Sequence, residues 1–366
     1  MSADPARAAL DAELLGWMRE EPWRVDPARF ERLALALFEF QFAHCEPYAR
    51  FCAARGSTPE RVGSWREIPA VPTGAFKELA LRSFPGEREC HVFRTSGTSV
   101  RKRGVLHLDT LALYEASLLP SFRRFVLPDL ERNGRARIHV LTPRPEETPD
   151  SSLSHLFGCA VRAFGDAESG FGVRGGELLF DALLAQLERA AADAVPVVLC
   201  GTAFAFVHLL DGLSGRRVRL ALPPGSRAME TGGFKGRSRQ LPPAALYQSI
   251  ERILGIPPER VVNQYGMTEL ASSFYDSILC EPDRARRKLG PPWARVRVVD
   301  PETGDDAGPG AVGVVCAVDL ANSGSVLALQ TADLGRTLLD GFEVCGREPG
   351  AESRGCSIAA DEMLAP

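Results

Sequence analysis

Stretches with the spacing of helices buried on one face alternate along this chain with short apolar runs, and that alternation leaves few folds open to it. Apolar side chains recur at helical intervals over residues 8–19, 30–54, 110–126, 178–192 and 203–213, and more weakly over 74–81 and 244–254. Between them stand strand-like runs at 90–94, 138–142, 197–200, 218–222 and 261–264, each bounded by Gly, Pro or polar residues. Strands alternating with helices predict an α/β fold of layered, largely parallel sheets flanked by helices. Ligands in such sheets gather at the carboxyl ends of the strands. After Gly290 the pattern changes to strand-like runs at 295–300, 312–320 and 326–329, joined by the turn-forming stretches 301–306 and 308–310. That reads as a small antiparallel β subdomain built on hairpins.

Charge and cysteine usage exclude several functions. Lys and Arg number 43 against 47 Asp and Glu, a formal charge of −4, which gives no general attraction to nucleic acid or to an anionic membrane. Residues 1–21 mix seven charged side chains into short apolar stretches, as an amphipathic surface helix does and a secretory signal does not. The longest apolar run, 194–210, is interrupted by Pro196, Gly201, Thr202 and His208, so a buried strand followed by a helix is expected in place of a membrane span. A cytoplasmic location follows as the expectation. The nine cysteines contain no Cys-x-x-Cys spacing, against a disulfide framework or a structural zinc site. Cys90, Cys159, Cys200, Cys280, Cys316 and Cys345 lie in or beside apolar segments and are expected to act as small hydrophobes; His155 and His208 are expected in the core. Cys356 differs: its neighbours Arg354, Gly355 and Ser357 are polar or basic, which predicts an exposed thiol held partly as thiolate.

Two polar islands carry the chemistry. Thr95, Ser96, Gly97 and Thr98 follow a short apolar strand, and a loop of small hydroxylated residues can close its N–H groups and hydroxyls around phosphate oxygens. Arg101, Lys102 and Arg103 add positive charge beside it. Far downstream, Asn263-Gln264-Tyr265-Gly266-Met267-Thr268-Glu269 ends in a carboxylate, a hard oxygen ligand suited to Mg²⁺. Each island alone has an ordinary structural use, as a turn or a helix start; their order is what points to an enzyme that activates carboxylates with ATP.

Taken in sequence with Thr231-Gly232-Gly233, Thr331-Ala332-Asp333-Leu334-Gly335 and Gly346-Arg347, these islands resemble the adenylate-forming superfamily of acyl-CoA synthetases and luciferases. The resemblance implies that the loop at Thr95 holds the β- and γ-phosphates, that Gly232 and Gly233 offer backbone to adenine, and that Tyr265 packs on its face. It further implies that Glu269 binds Mg²⁺, that Asp333 takes the ribose hydroxyls and that Arg347 pairs with ribose or phosphate oxygens. A closer resemblance, to the acyl-protein synthetase (long-chain-fatty-acid–protein ligase) family of bacterial bioluminescence, rests on Val71 to Lys77, Phe93 to Ser99, Ser151 to His155, Asn263 to Glu269 and Arg354 to Ser357. It implies ATP and Mg²⁺ as cofactors, Cys356 as acyl acceptor, Glu269 and Lys102 as catalytic groups, and a reductase or other acyl-accepting protein as partner. The expected organisation is a catalytic domain over 1–346, with the β-rich subdomain at 290–346, and a mobile tail over 347–366 in place of the superfamily's C-terminal lid of roughly one hundred residues. The acid pocket is expected to draw on 203–210 and on Ser272, Phe274 and Tyr275. Two other functions fit the same residues: an adenylating ligase that passes its acyl group to an external thiol or amine, and a non-catalytic nucleotide- or acyl-binding protein.

Overall fold

A computed structural model describes residues 4–95, 102–232 and 241–347 of the chain. Its helices are α1 Pro5–Met18, α2 Pro27–His44, α3 Glu46–Ala54, α4 Ala112–Val126, α5 Ser152–Phe164, α6 Phe180–Ala192, α7 Ala203–Gly215 and α8 Pro243–Leu254. The strands are β1 Val71–Pro72, β2 His91–Arg94, β3 Val105–Leu108, β4 Arg137–Leu141, β5 Gly170–Phe171, β6 Val173–Arg174, β7 Glu177–Leu178, β8 Val197–Thr202, β9 Arg227–Thr231, β10 Val261–Tyr265, β11 Phe274–Asp276, β12 Lys288–Leu289, β13 Ala294–Val299, β14 Val312–Asp319, β15 Ala328–Leu338 and β16 Gly341–Arg347. They divide between two compact units, one of residues 1–120, 267–273 and 288–366, the other of 121–266 and 274–287.

The second unit carries the expected parallel sheet. Its strands run in the order β11-β10-β9-β8-β4-β5, with β4, β5, β8, β9 and β10 parallel to their neighbours and β11 antiparallel to β10. Strand β8 is buried along its length up to Thr202, as a strand covered on both faces must be. Leu199 and Ala228 join Leu187, Phe206, Leu210, Ile250 and Ile253 of α6, α7 and α8 in one apolar cluster. At Gly201 a Cβ would stand 2.8 Å from Leu141 Cβ, so glycine is what permits the close approach there.

The first unit holds the antiparallel sheet, β13-β14-β15-β16-β12, with β1 added in parallel to β15. Helix α1 is less superficial than its charge pattern suggests: Arg7 and Asp11 are buried with Leu14, Trp17 and Met18, and Arg7 pairs at 2.9 Å with Asp109.

Several expectations are corrected. The apolar stretch 30–54 is two helices: Pro47 has no N–H for the carbonyl four residues earlier and its ring would clash there, so one helix cannot run through it, and the break falls at Cys45, φ −117°, ψ 89°. Residues 74–81 give only a 3₁₀ turn, Thr73–Lys77. No strand forms at 218–222; the N–H groups of Leu220 and Leu222 donate instead to the carbonyls of Ile253 and Leu254 at the end of α8. Strand β2, which leads into the Thr95 loop, pairs with β3 in a separate two-stranded antiparallel ribbon and does not belong to the parallel sheet. Cys90 and Cys345 are exposed, and His208 lies on the outer side of α7 stacked with Phe204.

A histidine that sequence reading had not singled out, His139 on β4, is 1% exposed, and its Nε2 has no hydrogen-bond partner. Burial, with Arg137 nearby, lowers its pKa to about 4. The unfolded chain therefore binds a proton below pH 6.5 that the folded chain refuses until about pH 4, and stability falls as pH drops through that window. Wild-type protein should lose about 2–3 kcal/mol of unfolding free energy across it from this group, at ~1.4 kcal/mol per pKa unit. His139→Leu should flatten that part of the curve in denaturant titrations, and an unchanged slope would contradict the account.

Candidate active site

The β2–β3 ribbon ends in a hydrogen-bonded pair, Thr95 and Gly104. Register His91 to Leu108 and Arg94 to Val105 continues one step further, where Thr95 N–H donates to Gly104 O and Gly104 N–H to Thr95 Oγ1, both at 2.9 Å. Arg103 Nε caps the same end by donating to Thr95 O at 2.6 Å. Lys102 is exposed and its Nζ lies 2.8 Å from Glu78. Ser96, Gly97 and Thr98 lie outside the described residues, as do Gly233 and Cys356.

Glu269 borders this pair. Its side chain is 7% exposed, and a Cβ added to Gly104 would stand 3.1 Å from Thr95 Cγ2 and 3.5 Å from both Glu269 Oε1 and Phe76 Cβ. A side chain at 104 would crowd Thr95 and lie in contact with Glu269, so both residues border this glycine. Glu269 sits with the half-buried Thr268 at the centre of a tight turn in which Leu270 N–H donates to Met267 O at 3.2 Å. The downstream pair is also assembled within this unit. Asp333 and Arg347 face each other across β15 and β16, with Arg347 Nε 3.3 Å from Asp333 Oδ1. Thr331 Oγ1 accepts from Asp333 N–H at 3.1 Å and donates to Val315 O at 2.8 Å, which fixes the aspartate's backbone.

In the second unit, Gly232 and the β10 residues meet at the carboxyl ends of the parallel strands. Thr231 pairs with Gln264 in register, and a Cβ on Gly232 would lie 3.9 Å from Asn263 Nδ2. Gln264 is buried; Tyr265 packs at 49° to Phe274, ring centres 6.4 Å apart, and Gly266 follows half-buried. Two carboxylates that sequence reading passed over organise this end. Glu230, 3% exposed, accepts from Tyr247 Oη at 2.9 Å and Asn263 Nδ2 at 2.6 Å. Asp276 Oδ2 accepts from Asn263 N–H at 3.0 Å and Arg286 Nη1 at 2.6 Å. The available signal was a carboxylate inside an apolar strand one residue before Thr231.

Of the side chains expected in the acid pocket, Ser272 is fully buried and donates its hydroxyl to Asp319 at 2.7 Å, while Tyr275 stacks on Phe125 at 5.5 Å.

The profile of the family described as "Acyl-protein synthetase, LuxE" matches residues 162–365, more than half of the chain. The chain belongs to that family. The acyl-protein synthetase match takes in β8 to β16 and therefore Gly232, Glu269, Asp333 and Arg347. Among solved structures, 2-hydroxyisobutyryl-CoA ligase shares the fold. An open conformation in complex with 2-HIB-AMP and CoA superposes with a TM-score of 0.60 at 13% identity, covering 90% of this chain and 80% of that one. The same ligase in the thioesterification state gives 0.61 at 16% identity over 88% and 69% of the two chains. Its postadenylation state with 2-HIB-AMP gives 0.61 at 15% over 91% and 73%. No curated protein matches the sequence. The fold is thus α/β, largely parallel sheet with flanking helices and an antiparallel portion, as in these ligases. Among the described residues, no helix is long and apolar enough to cross a membrane.

Gly104→Val should place its branched side chain against Thr95 and Glu269, and overpacking of this kind costs about 1–3 kcal/mol. Urea titration should show that loss; a variant as stable as wild type would mean that the three residues do not meet.

Proposed function

We propose that this chain activates a carboxylic acid, a fatty acid foremost, as acyl-AMP and then carries the acyl group on Cys356 for delivery to an acyl-accepting partner such as a reductase. The observation that supports it most is the buried carboxylate of Glu269 set against Thr95 at the base of the hydroxylated loop, in a member of the acyl-protein synthetase family.

The buried Glu269 carboxylate is a hard oxygen donor, which fits Mg²⁺, an ion that takes one or two carboxylates beside substrate phosphates. Bound there with ATP, it would neutralise charge on the departing pyrophosphate. In the first step a carboxylate oxygen of the acid attacks the α-phosphorus of ATP, a P–O bond forms, and the bond to the β-phosphate oxygen breaks to release pyrophosphate. Arg103 and Lys102 lie beside the loop and add positive charge where pyrophosphate leaves. The adenine end of ATP is assigned to Gly232, Gly233, Gln264, Tyr265 and Gly266, with Thr268 leading to Glu269. Ribose hydroxyls are assigned to the Asp333 carboxylate, and Arg347, mostly exposed, remains available to pair with ribose or phosphate oxygens. In the second step the Cys356 thiolate, its proton lost to solvent, attacks the acyl carbon; a C–S bond forms, the C–O bond to AMP breaks and AMP departs. Splitting the transfer into two substitutions lowers the barrier of each. The catalytic domain assigned to 1–346 would perform the first step, and the 347–366 tail would supply the nucleophile for the second.

Glu269→Gln should retain the fold and lose at least about a hundredfold in ATP–pyrophosphate exchange, the equivalent of several kcal/mol of charge stabilisation. Near wild-type exchange would reject Glu269 as the metal-binding carboxylate.

Cys356→Ser should exchange normally yet form no hydroxylamine-sensitive adduct in intact-protein mass spectra with acid and ATP, because a serine hydroxyl without a base is a poor nucleophile near neutral pH. Wild-type protein that accumulates acyl-AMP and stays unmodified would show that the acyl group goes to an external thiol or amine.

A further inference from the structure

The turn that presents Glu269 is held by a chain of buried hydrogen bonds whose directions are forced. Trp293 Nε1 can only donate, and it donates to Ser117 Oγ at 2.8 Å. Ser117 Oγ lies 2.8 Å from Ser272 Oγ, and Ser272 Oγ lies 2.7 Å from Asp319 Oδ1. An ionised carboxylate only accepts, so both hydroxyl protons point the same way, from tryptophan through two serines to Asp319. Asp319 Oδ2 also accepts from Ser272 N–H at 2.7 Å, and Oδ1 from Ala321 N–H at 3.0 Å. Trp293, Ser117, Ser272 and Asp319 are all at most 1% exposed.

The other end of the same segment is pinned separately. Asn322 Nδ2 donates to the backbone carbonyl of Glu269 at 2.8 Å, and Asn322 is itself 3% exposed. Its own backbone is anchored: Gln41 Nε2 donates to Asn322 O at 3.0 Å while Gln41 Oε1 accepts from Leu327 N–H at 2.9 Å. Ser83 and Ser325 tie the next residues down, with Ser83 Oγ donating to Ser325 O and Ser325 Oγ to Leu81 O, each at 2.7 Å. The short segment from Glu269 to Ser272 is therefore gripped at its first carbonyl and its last amide and hydroxyl, by residues three apart in one loop. Among the described residues, the bonds of this grip fall on the Glu269 carbonyl and on Ser272, so they bear on how Glu269 is placed.

We propose that Asp319 and Asn322 are positioning residues which clamp the 269–272 turn and thereby set the Glu269 carboxylate for its divalent cation. This rests on the assignment of Glu269 as the metal-binding group. A carboxylate serves at 319 because several donors converge on it; an amide would turn a donor toward Ser272 N–H or toward the hydroxyl, and the turn would shift to relieve the clash. Groups that orient metal-binding side chains from behind alter metal affinity by about 10–100-fold when replaced.

The test uses the full-length protein with two variants, Asp319→Asn and the gentler Ser272→Ala, which keeps the carboxylate and removes one link. Mn²⁺ binding in the presence of ATP is followed by electron paramagnetic resonance, alongside the Mg²⁺ dependence of ATP–pyrophosphate exchange. The half-saturating metal concentration should rise by about tenfold in Asp319→Asn and by a smaller factor in Ser272→Ala. In Asp319→Asn the KM for the acid should stay unchanged, and excess Mg²⁺ should restore most of the exchange rate. If Asp319→Asn does not fold, Ser272→Ala carries the test alone. Folded variants with lower melting temperatures but wild-type Mn²⁺ binding would show a purely structural network and overturn the proposal. Wild-type Mn²⁺ binding by Glu269→Gln would instead overturn the assignment of Glu269 itself, and the clamp with it.

Discussion

The approach of one buried carboxylate to the foot of one loop is the constraint on which the candidate chemistry depends. Glu269 and Thr95 come from segments far apart in the chain, and both border Gly104, where an added Cβ would stand 3.1 Å from Thr95 Cγ2 and 3.5 Å from Glu269 Oε1. A carboxylate taken out of water in this way is costly unless hydrogen bonds or a cation compensate it. The same problem recurs at Asp319, which burial pushes above the usual carboxylate range while the amide and hydroxyl of Ser272 and the amide of Ala321 pull the other way. Two buried carboxylates thus serve one short segment: Glu269 belongs to it, and Asp319, 47 positions beyond Ser272, holds it through that residue's amide and hydroxyl.

Much of the fold was legible because amphipathic period and turn chemistry agree over long stretches. Helices α6, α7 and α8 begin and end within a few residues of the expected limits, and the apolar run 194–210 resolves into β8 and α7. What failed did so where tertiary contacts overrode local pattern. The stretch 218–222 looks like a strand, yet its amides are taken by the carbonyl end of α8, so it never enters a sheet. Strand β9 was missed for the converse reason: Arg227 and Glu230 break its apolar pattern, and only the fold supplies their partners, Asp129 for the first, Tyr247 and Asn263 for the second. Strand β16 carries exposed residues on a short hairpin and has no apolar run to announce it.

The site divides along the same line. Glu269, Asp333 and Arg347 could be named from sequence because family resemblance carries residue types at fixed order, and the structure does place Asp333 opposite Arg347. The residues that hold them could not. Asp319, Asn322, Ser272 and Trp293 look in sequence like parts of an apolar strand, a turn and a loop; their partners lie up to 281 positions away, in a network that only coordinates reveal. Positioning groups of this kind have no local signature, because what defines them is the direction of a hydrogen bond across the fold.

The central claim is that the chain makes acyl-AMP, and isotope exchange between pyrophosphate and ATP reads that step without reference to the final acceptor. With Mg²⁺ and a panel of carboxylic acids from short to long chain and from aliphatic to aromatic, at least one class of acid should drive label from pyrophosphate into ATP. Omission of acid or of Mg²⁺ should abolish the exchange. Protein that binds ATP but catalyses no exchange with any acid on the panel would contradict the account and leave a nucleotide-binding protein on a ligase fold.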